Sequence, residues 1–166
     1  MEEKIKLIDE EIINMYKYYY KTPVGIMCIK ENDGYITEIH MGKDSDTVEE
    51  IETKLIRKTY EEIMGYFSKK RKSFDIPIKL EGTEFQKSVW DALIQIPYGK
   101  TCTYKDIAEK IGNPKACRAV GGANNKNPIM IIVPCHRVIG KNGDLVGYAG
   151  GIEVKQKLLD LEQGKF

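Results

Sequence analysis

The sequence predicts an α+β protein: a small N-terminal antiparallel sheet with one helix, followed by a mainly helical C-terminal half containing a helix-turn-helix and a cysteine-centred motif. Three observations predict it. Runs rich in Tyr, Val and Ile flank a turn early in the chain; an apolar stripe at helical spacing follows; and two short helical segments, separated by glycine, occur in the second half. A length of 166 residues allows one ordinary domain or two small ones. The break at Leu80-Glu81-Gly82 divides the chain into 1–80, read as a structural α/β domain, and 81–166, read as the domain that carries chemistry.

In the first half, Asn14 to Tyr20, Val24 to Lys30 and Tyr35 to Met41 read as strands, the last two joined at Asn32-Asp33-Gly34, a hairpin signal. Ser45 and Asp46 are candidate caps, with Glu49 three residues after Asp46. Val48, Ile51, Leu55, Ile63 and Phe67 then mark the apolar face of a helix. Phe74, Ile76 and Ile78 alternate around Pro77 and suggest a short edge or linking strand. Cys28 reads as a buried structural thiol and His40 as a strand-end side chain. One cysteine and one histidine do not complete the usual four-ligand zinc site, so no metal is expected, and no cofactor is expected either.

In the second half, Thr83 with Gln86 forms a capping box opening a helix from Glu84 to about Gln95, with Phe85, Val89, Leu93 and Ile96 on one side. Thr103 caps a short helix from Tyr104 to Ile111 that Gly112 ends. Asn113 and Pro114 are read as cap and first residue of the next helix. The result is a helix-turn-helix pattern. Residues 98 to 141 hold eight basic side chains against two acidic ones, although the whole chain has a net charge of only +1. Such a surplus suits a polyanion, or else a solvated basic face. Within the second helix, Gly121 and Gly122 each cost about 1 kcal/mol relative to alanine. Close packing by a neighbouring helix or close approach of a phosphate backbone would each explain that cost.

Hydrophobic residues at 42% and charged residues at 31% exclude a disordered or collagen-like chain. No run approaches the ~18 apolar residues of a membrane span, and the charged start does not resemble a signal peptide; the protein is expected to stay in the cytoplasm, or to be nuclear in a eukaryote. Cys28, Cys102, Cys117 and Cys135 lie far apart with no C-x-x-C spacing, so free thiols are expected. The apolar run from Ile129 to Val133 ends in Pro134-Cys135-His136-Arg137-Val138. This puts a thiol beside one of only two histidines, and thiolate chemistry needs a base or cation nearby. The bland alternative for Cys135 is an inert buried thiol.

The string Asn127-Pro128 through Ile132-Val133-Pro134-Cys135-His136-Arg137-Val138 resembles the active-site segment of the O6-alkylguanine-DNA alkyltransferases, the methylated-DNA–protein-cysteine methyltransferases. The resemblance extends upstream through Ile96-Pro97-Tyr98-Gly99-Lys100, Thr103-Tyr104 and the stretch Gly112 to Gly122. Downstream it takes in Gly147-Tyr148-Ala149-Gly150-Gly151 and the last helix to Glu162. It implies that the chain is a single-turnover DNA repair protein. The alkyl group of an O6-alkylguanine, or of an O4-alkylthymine, passes irreversibly to Cys135 from a base flipped out of double-stranded DNA.

By the same resemblance, Cys135 is the nucleophile and His136 the general base, acting through a water and oriented by Glu162. Tyr104 rotates the phosphate and donates a proton, while Asn127 holds the active-site segment. Arg118 is the finger that replaces the extruded base, with Lys115, Ala116, Gly121, Gly122 and Lys126 along the DNA. Val138, Tyr148 and Ala149 line the base pocket. A monomer without membrane contacts is expected. Met130 stands where many members have proline, Ala149 where serine is common, and Cys117 is a second thiol beside the finger. A non-catalytic lesion sensor and a Cys–His–Glu hydrolase are the competing readings.

Overall fold

The computed structural model describes residues 14–148 and 150–165; Ala149, assigned above to the base pocket, lies outside them. The chain divides into two compact units between Lys79 and Leu80.

In the first unit, β1 (Met15–Thr22), β2 (Gly25–Asn32) and β3 (Tyr35–Met41) form an antiparallel meander. The β2–β3 loop is the two-residue Asp33-Gly34, both with positive φ (50° and 84°), the turn that the Asn-Asp-Gly signal predicts. The helix α1 (Lys54–Phe67) covers one sheet face, and Met27, Ile29, Ile36, Ile39, Ile56, Ile63 and Tyr66 make the core. It begins later than expected. Asp46 does accept from the Val48 amide, but its carboxylate also holds Lys17 and Lys30. The chain then extends as β4 (Glu49–Glu50), parallel to β1 at Tyr16 and Lys17, so the sheet order is β3-β2-β1-β4. Thr53 is the actual cap, accepting from the Ile56 amide, and Val48 and Ile51 therefore precede the helix. Of the expected strand around Pro77, only a bridge from Ile78 to Ile36 forms.

The second unit contains α2 (Glu84–Ile94), β5 (Cys102–Thr103), α3 (Tyr104–Lys110), α4 (Cys117–Asn125), β6 (Val138–Ile139) and α5 (Ile152–Glu162). The Thr83/Gln86 capping box opens α2 as the spacing predicts. Trp90 on α2 is 2% exposed and donates to the Ala123 carbonyl at 2.9 Å, which ties α2 to α4. The strand β5 pairs in parallel with β6, Cys102 opposite Val138. This short pairing fastens the start of the helix-turn-helix to the segment just past Cys135. Among the described residues no helix is long and apolar enough to cross a membrane.

Candidate active site

The helix-turn-helix is α3, a turn, and α4. Thr103 and Asp106 form a capping box at the start of α3, and Gly112 supplies the left-handed residue after its end (φ 79°). The second helix begins three residues later than expected, at Cys117, with Ala116 before it making no side-chain cap. Asn113 and Pro114 instead form a turn closed by the Ala116 amide on the Asn113 carbonyl (3.0 Å). Asn followed by Pro suits the first two positions of a type I turn as well as it suits a helix start. Lys115, Arg118, Gly122 and Lys126 are exposed, and Ala116 and Gly121 half-buried. An added Cβ at Gly122 would meet nothing within 4 Å, and one at Gly121 only the Tyr104 ring at 3.9 Å. Packing within the protein therefore does not require either glycine.

The apolar run after α4 is not a strand. The Ile132 amide bonds the Met130 carbonyl and the Val133 amide bonds that of Ile129, so the chain turns tightly, with Ile131 at φ 71°. A β-branched residue in that region costs about 1–3 kcal/mol and is kept where surrounding contacts enforce it. Asn127 supplies such contacts: its Nδ2 donates to the Val133 carbonyl at 2.7 Å, and its Oδ1 accepts from the Ile129 amide at 3.0 Å. Residues Cys135–Arg137 then form a single 3-10 turn, so Cys135 and His136 do not alternate across a strand.

That turn opens onto a buried ionic network. His136 Nε2 lies 2.5 Å from Glu162 Oε2, and Arg137 grips both oxygens of Glu162, with Nε at 2.7 Å and Nη2 at 3.1 Å. Arg137 Nη1 also donates to the Ile96 carbonyl, and the Gly99 amide to Glu162 Oε1 at 3.0 Å. With both carboxylate oxygens accepting, His136 Nε2 is the donor, and its proton-free Nδ1 is the basic nitrogen. That Nδ1 is buried and has no hydrogen-bond partner among the described residues. Burial holds the imidazole below its usual pKa, with Glu162 opposing and the Arg137 and Lys155 charges reinforcing, so it stays neutral.

Cys135 is 4% exposed. Burial pushes its thiol up, while Asn127, the charge of Lys155 and Tyr148 pull the other way. Lys155 is fully buried, its ammonium disfavoured by burial and favoured by Cys135; its Nζ donates to the Val146 carbonyl at 3.3 Å. The same carbonyl accepts from the Tyr104 hydroxyl at 2.7 Å. Tyr104, Cys117, Arg118, Gly121, Val146 and Gly147 line an open cleft against α4. Cys135 does not line it. Tyr104 connects the two, facing the cleft and interacting with Cys135, and its phenol is held protonated first by burial and then by that thiol.

The structure thus gathers Cys135, His136, Glu162, Asn127, Tyr148 and Tyr104 about one centre. Val138 is buried beside it in β6, and Arg118, Lys115 and Lys126 stay on the outer surface. Arg137, counted above with the basic surplus, belongs to the buried network instead. Three residues escaped the sequence reading: Arg137, Lys155 and Asn124. Asn124 is 2% exposed, and its Nδ2 reaches the Cys135 carbonyl at 3.4 Å. The signal for Lys155 was available, because it shares one helix face with Leu158, Leu159 and Glu162, an ionisable residue in an apolar stripe.

Comparison with known proteins agrees across both units. Residues 15–80 match the family described as 6-O-methylguanine DNA methyltransferase, ribonuclease-like domain, and residues 84–164 the 6-O-methylguanine DNA methyltransferase, DNA binding domain. A methylated-DNA–protein-cysteine methyltransferase of Methanosarcina acetivorans is 47% identical over 153 residues, covering 89% of this chain and 98% of that protein. The inducible methylated-DNA–protein-cysteine methyltransferase of Bacillus subtilis is 58% identical over 102 residues, 61% of this chain and 57% of its own. Among solved structures, Mycobacterium tuberculosis OGT in complex with DNA is similar with a TM-score of 0.84 and 41% identity, over 90% of this chain and 94% of that one.

Proposed function

The chain belongs to the methylated-DNA–protein-cysteine methyltransferase family, and from that membership we propose that Cys135 is its alkyl acceptor, served by His136, Glu162, Tyr104 and Asn127. The activity is DNA repair by alkyl transfer to a cysteine of the protein itself. The observation that carries the assignment to Cys135 is its position between the neutral His136 of the Glu162 network and the Tyr104 wall of the cleft.

The substrate is double-stranded DNA carrying O6-alkylguanine. O4-alkylthymine offers the same oxygen-bound alkyl carbon. Arg118 and Lys105 are exposed around the cleft and supply the positive charge that a phosphate backbone seeks. The open space over Gly121 and Gly122 lets the backbone lie close to α4. An O6 substituent is shielded within the stacked duplex, so the base must swing out, and Arg118 takes its place. The Tyr104–Val146 bond opens to admit the base to Val138 and Tyr148.

Cys135 loses its proton toward His136 Nδ1, through a bridging water. The Lys155 ammonium favours the thiolate so formed. The sulfur attacks the alkyl carbon, an S–C bond forms as the C–O bond breaks, and the Tyr104 hydroxyl gives a proton to the departing purine. The product thioether has no route back to a thiol, so each molecule acts once. Every group in this scheme comes from one chain, so a monomer suffices, working in the cytoplasm. Cys135→Ser tests the assignment: it is expected to bind a duplex containing O6-methylguanine and to take up no methyl group, and retained transfer would overturn the reading.

A further inference from the structure

On the sheet face opposite α1, Cys28 on β2 stands beside His40 on β3, and the loop after β3 brings Asp44 against both. We propose that Cys28, His40 and Asp44 bind one zinc-class divalent cation in the N-terminal unit. One potential ligand atom from each lies within 4.8 Å of the other two. The sequence offers one cysteine and one histidine here, two ligands; the fold adds a carboxylate.

The hydrogen bonding of His40 points to a cation independently of that proximity. Its Nδ1 faces the Met41 carbonyl at 3.2 Å, a pure acceptor, so Nδ1 carries the proton. Its Nε2 then presents a lone pair to Asp44 Oδ2, also an acceptor, at 3.1 Å. Two lone pairs in opposition require a positive centre between them, either a second proton on the ring or a metal ion. A ring nitrogen donating to a backbone carbonyl while the other faces outward is the usual arrangement of a metal-bound histidine.

The surrounding charges suit the ion. Lys17 Nζ holds Asp44 Oδ1 at 2.7 Å and Asp46 at 2.6 Å, which leaves Oδ2 for the metal. Lys30 contacts Oδ2 at 2.7 Å but also reaches Glu38 at 3.2 Å and Asp46, and it shifts onto those when the ion enters. Asp44, Asp46, Glu38 and a Cys28 thiolate carry four negative charges, and Lys17 and Lys30 two positive ones. A divalent cation brings the cluster to neutrality. Burial pushes the free Cys28 thiol up to about 12, so the metal must displace its proton, as it does at thiolate sites generally. Thiolate and imidazole donors favour zinc over magnesium or calcium, and with three protein ligands the fourth position is left to water.

Cobalt(II) added to the metal-free full chain tests this, because thiolate-bound cobalt absorbs in the near ultraviolet and tetrahedral cobalt in the visible. One equivalent is expected to give both bands, zinc to abolish them, and Cys135→Ser to keep them. His40→Ala, at a side chain one-third exposed, is expected to fold, to transfer alkyl groups normally and to bind cobalt at least tenfold more weakly. Asp44→Asn should weaken binding as well. The absence of bands in the wild type, their survival in His40→Ala, or their loss in Cys135→Ser would each overturn the proposal.

Discussion

His136 and Glu162, 26 positions apart, meet at 2.5 Å with both side chains sealed from solvent. The contact fixes which imidazole nitrogen is free. It also joins the turn bearing Cys135 to the last helix, so the last turn of α5 governs the chemistry of position 135.

Replacing Glu162 with Gln should therefore harm both rate and stability. A carboxamide has one acceptor oxygen and cannot serve His136, both Arg137 contacts and the Gly99 amide together. Loss of an orienting partner slows chemistry by about 10–100-fold, and leaving Arg137 buried without its counter-charge costs about 3–5 kcal/mol. Single-turnover rates below the melting transition, with thermal melts alongside, measure the two effects separately. A wild-type rate would contradict the orienting role.

The pH response follows from two buried groups of opposite sign. His136 is held below its ordinary 6.5, so the unfolded chain binds a proton there more readily than the folded one. Its stabilising contribution is present above about pH 6.5 and is lost as pH falls through the lowered folded value. Cys135 is raised, so its contribution is full below the ordinary thiol value and declines as pH rises past it. Denaturation at several pH values should show His136→Gln losing less stability than wild type between pH 6.5 and 5, and Cys135→Ser losing less above pH 9. Parallel curves for wild type and variants would refute these assignments.

The glycines of α4 give a trade-off. Gly122→Ala should stabilise the free protein by roughly 1 kcal/mol through helix propensity, because the added methyl meets no protein atom. It should weaken binding to duplex DNA and leave reaction with free O6-benzylguanine unaltered. Unchanged DNA affinity would mean that the backbone does not approach that face.

Arg118→Ala separates base extrusion from alkyl transfer. Unstacking costs a few kcal/mol that a free base does not face, so the variant should lose ~10-fold or more in rate on a methylated duplex and little on O6-benzylguanine. Equal losses on both substrates would remove the finger role. Lys115→Ala and Lys126→Ala should instead lower affinity uniformly and flatten its dependence on salt.

Much of this was legible in the chain before its fold was known, and the failures share a cause. The Asp33-Gly34 turn, the Thr83/Gln86 box and the Thr103 cap are local devices whose partners lie within a few residues. Asp46 misled because its carboxylate is claimed by Lys17 and Lys30, and Asn113-Pro114 because one dipeptide serves both a turn and a helix start. The segment Ile129–Val133 has strand composition, yet Asn127 bends it through bonds that composition does not reveal. Cys135 and His136 stand out as neighbours in the chain, but their pairing with Glu162 came only from family resemblance. Arg137 and Lys155 act through burial and distant partners, which become visible only when α5 is packed in place.

The central claim is that one sulfur takes the lesion's alkyl group. The most direct measurement is the mass of the protein, intact and after digestion, following incubation with a duplex containing O6-methylguanine. The account predicts that each molecule gains one CH2 group (about 14 Da) and no more, on the peptide carrying Cys135. An unchanged mass, or the added group on Cys28, Cys102 or Cys117, would contradict it.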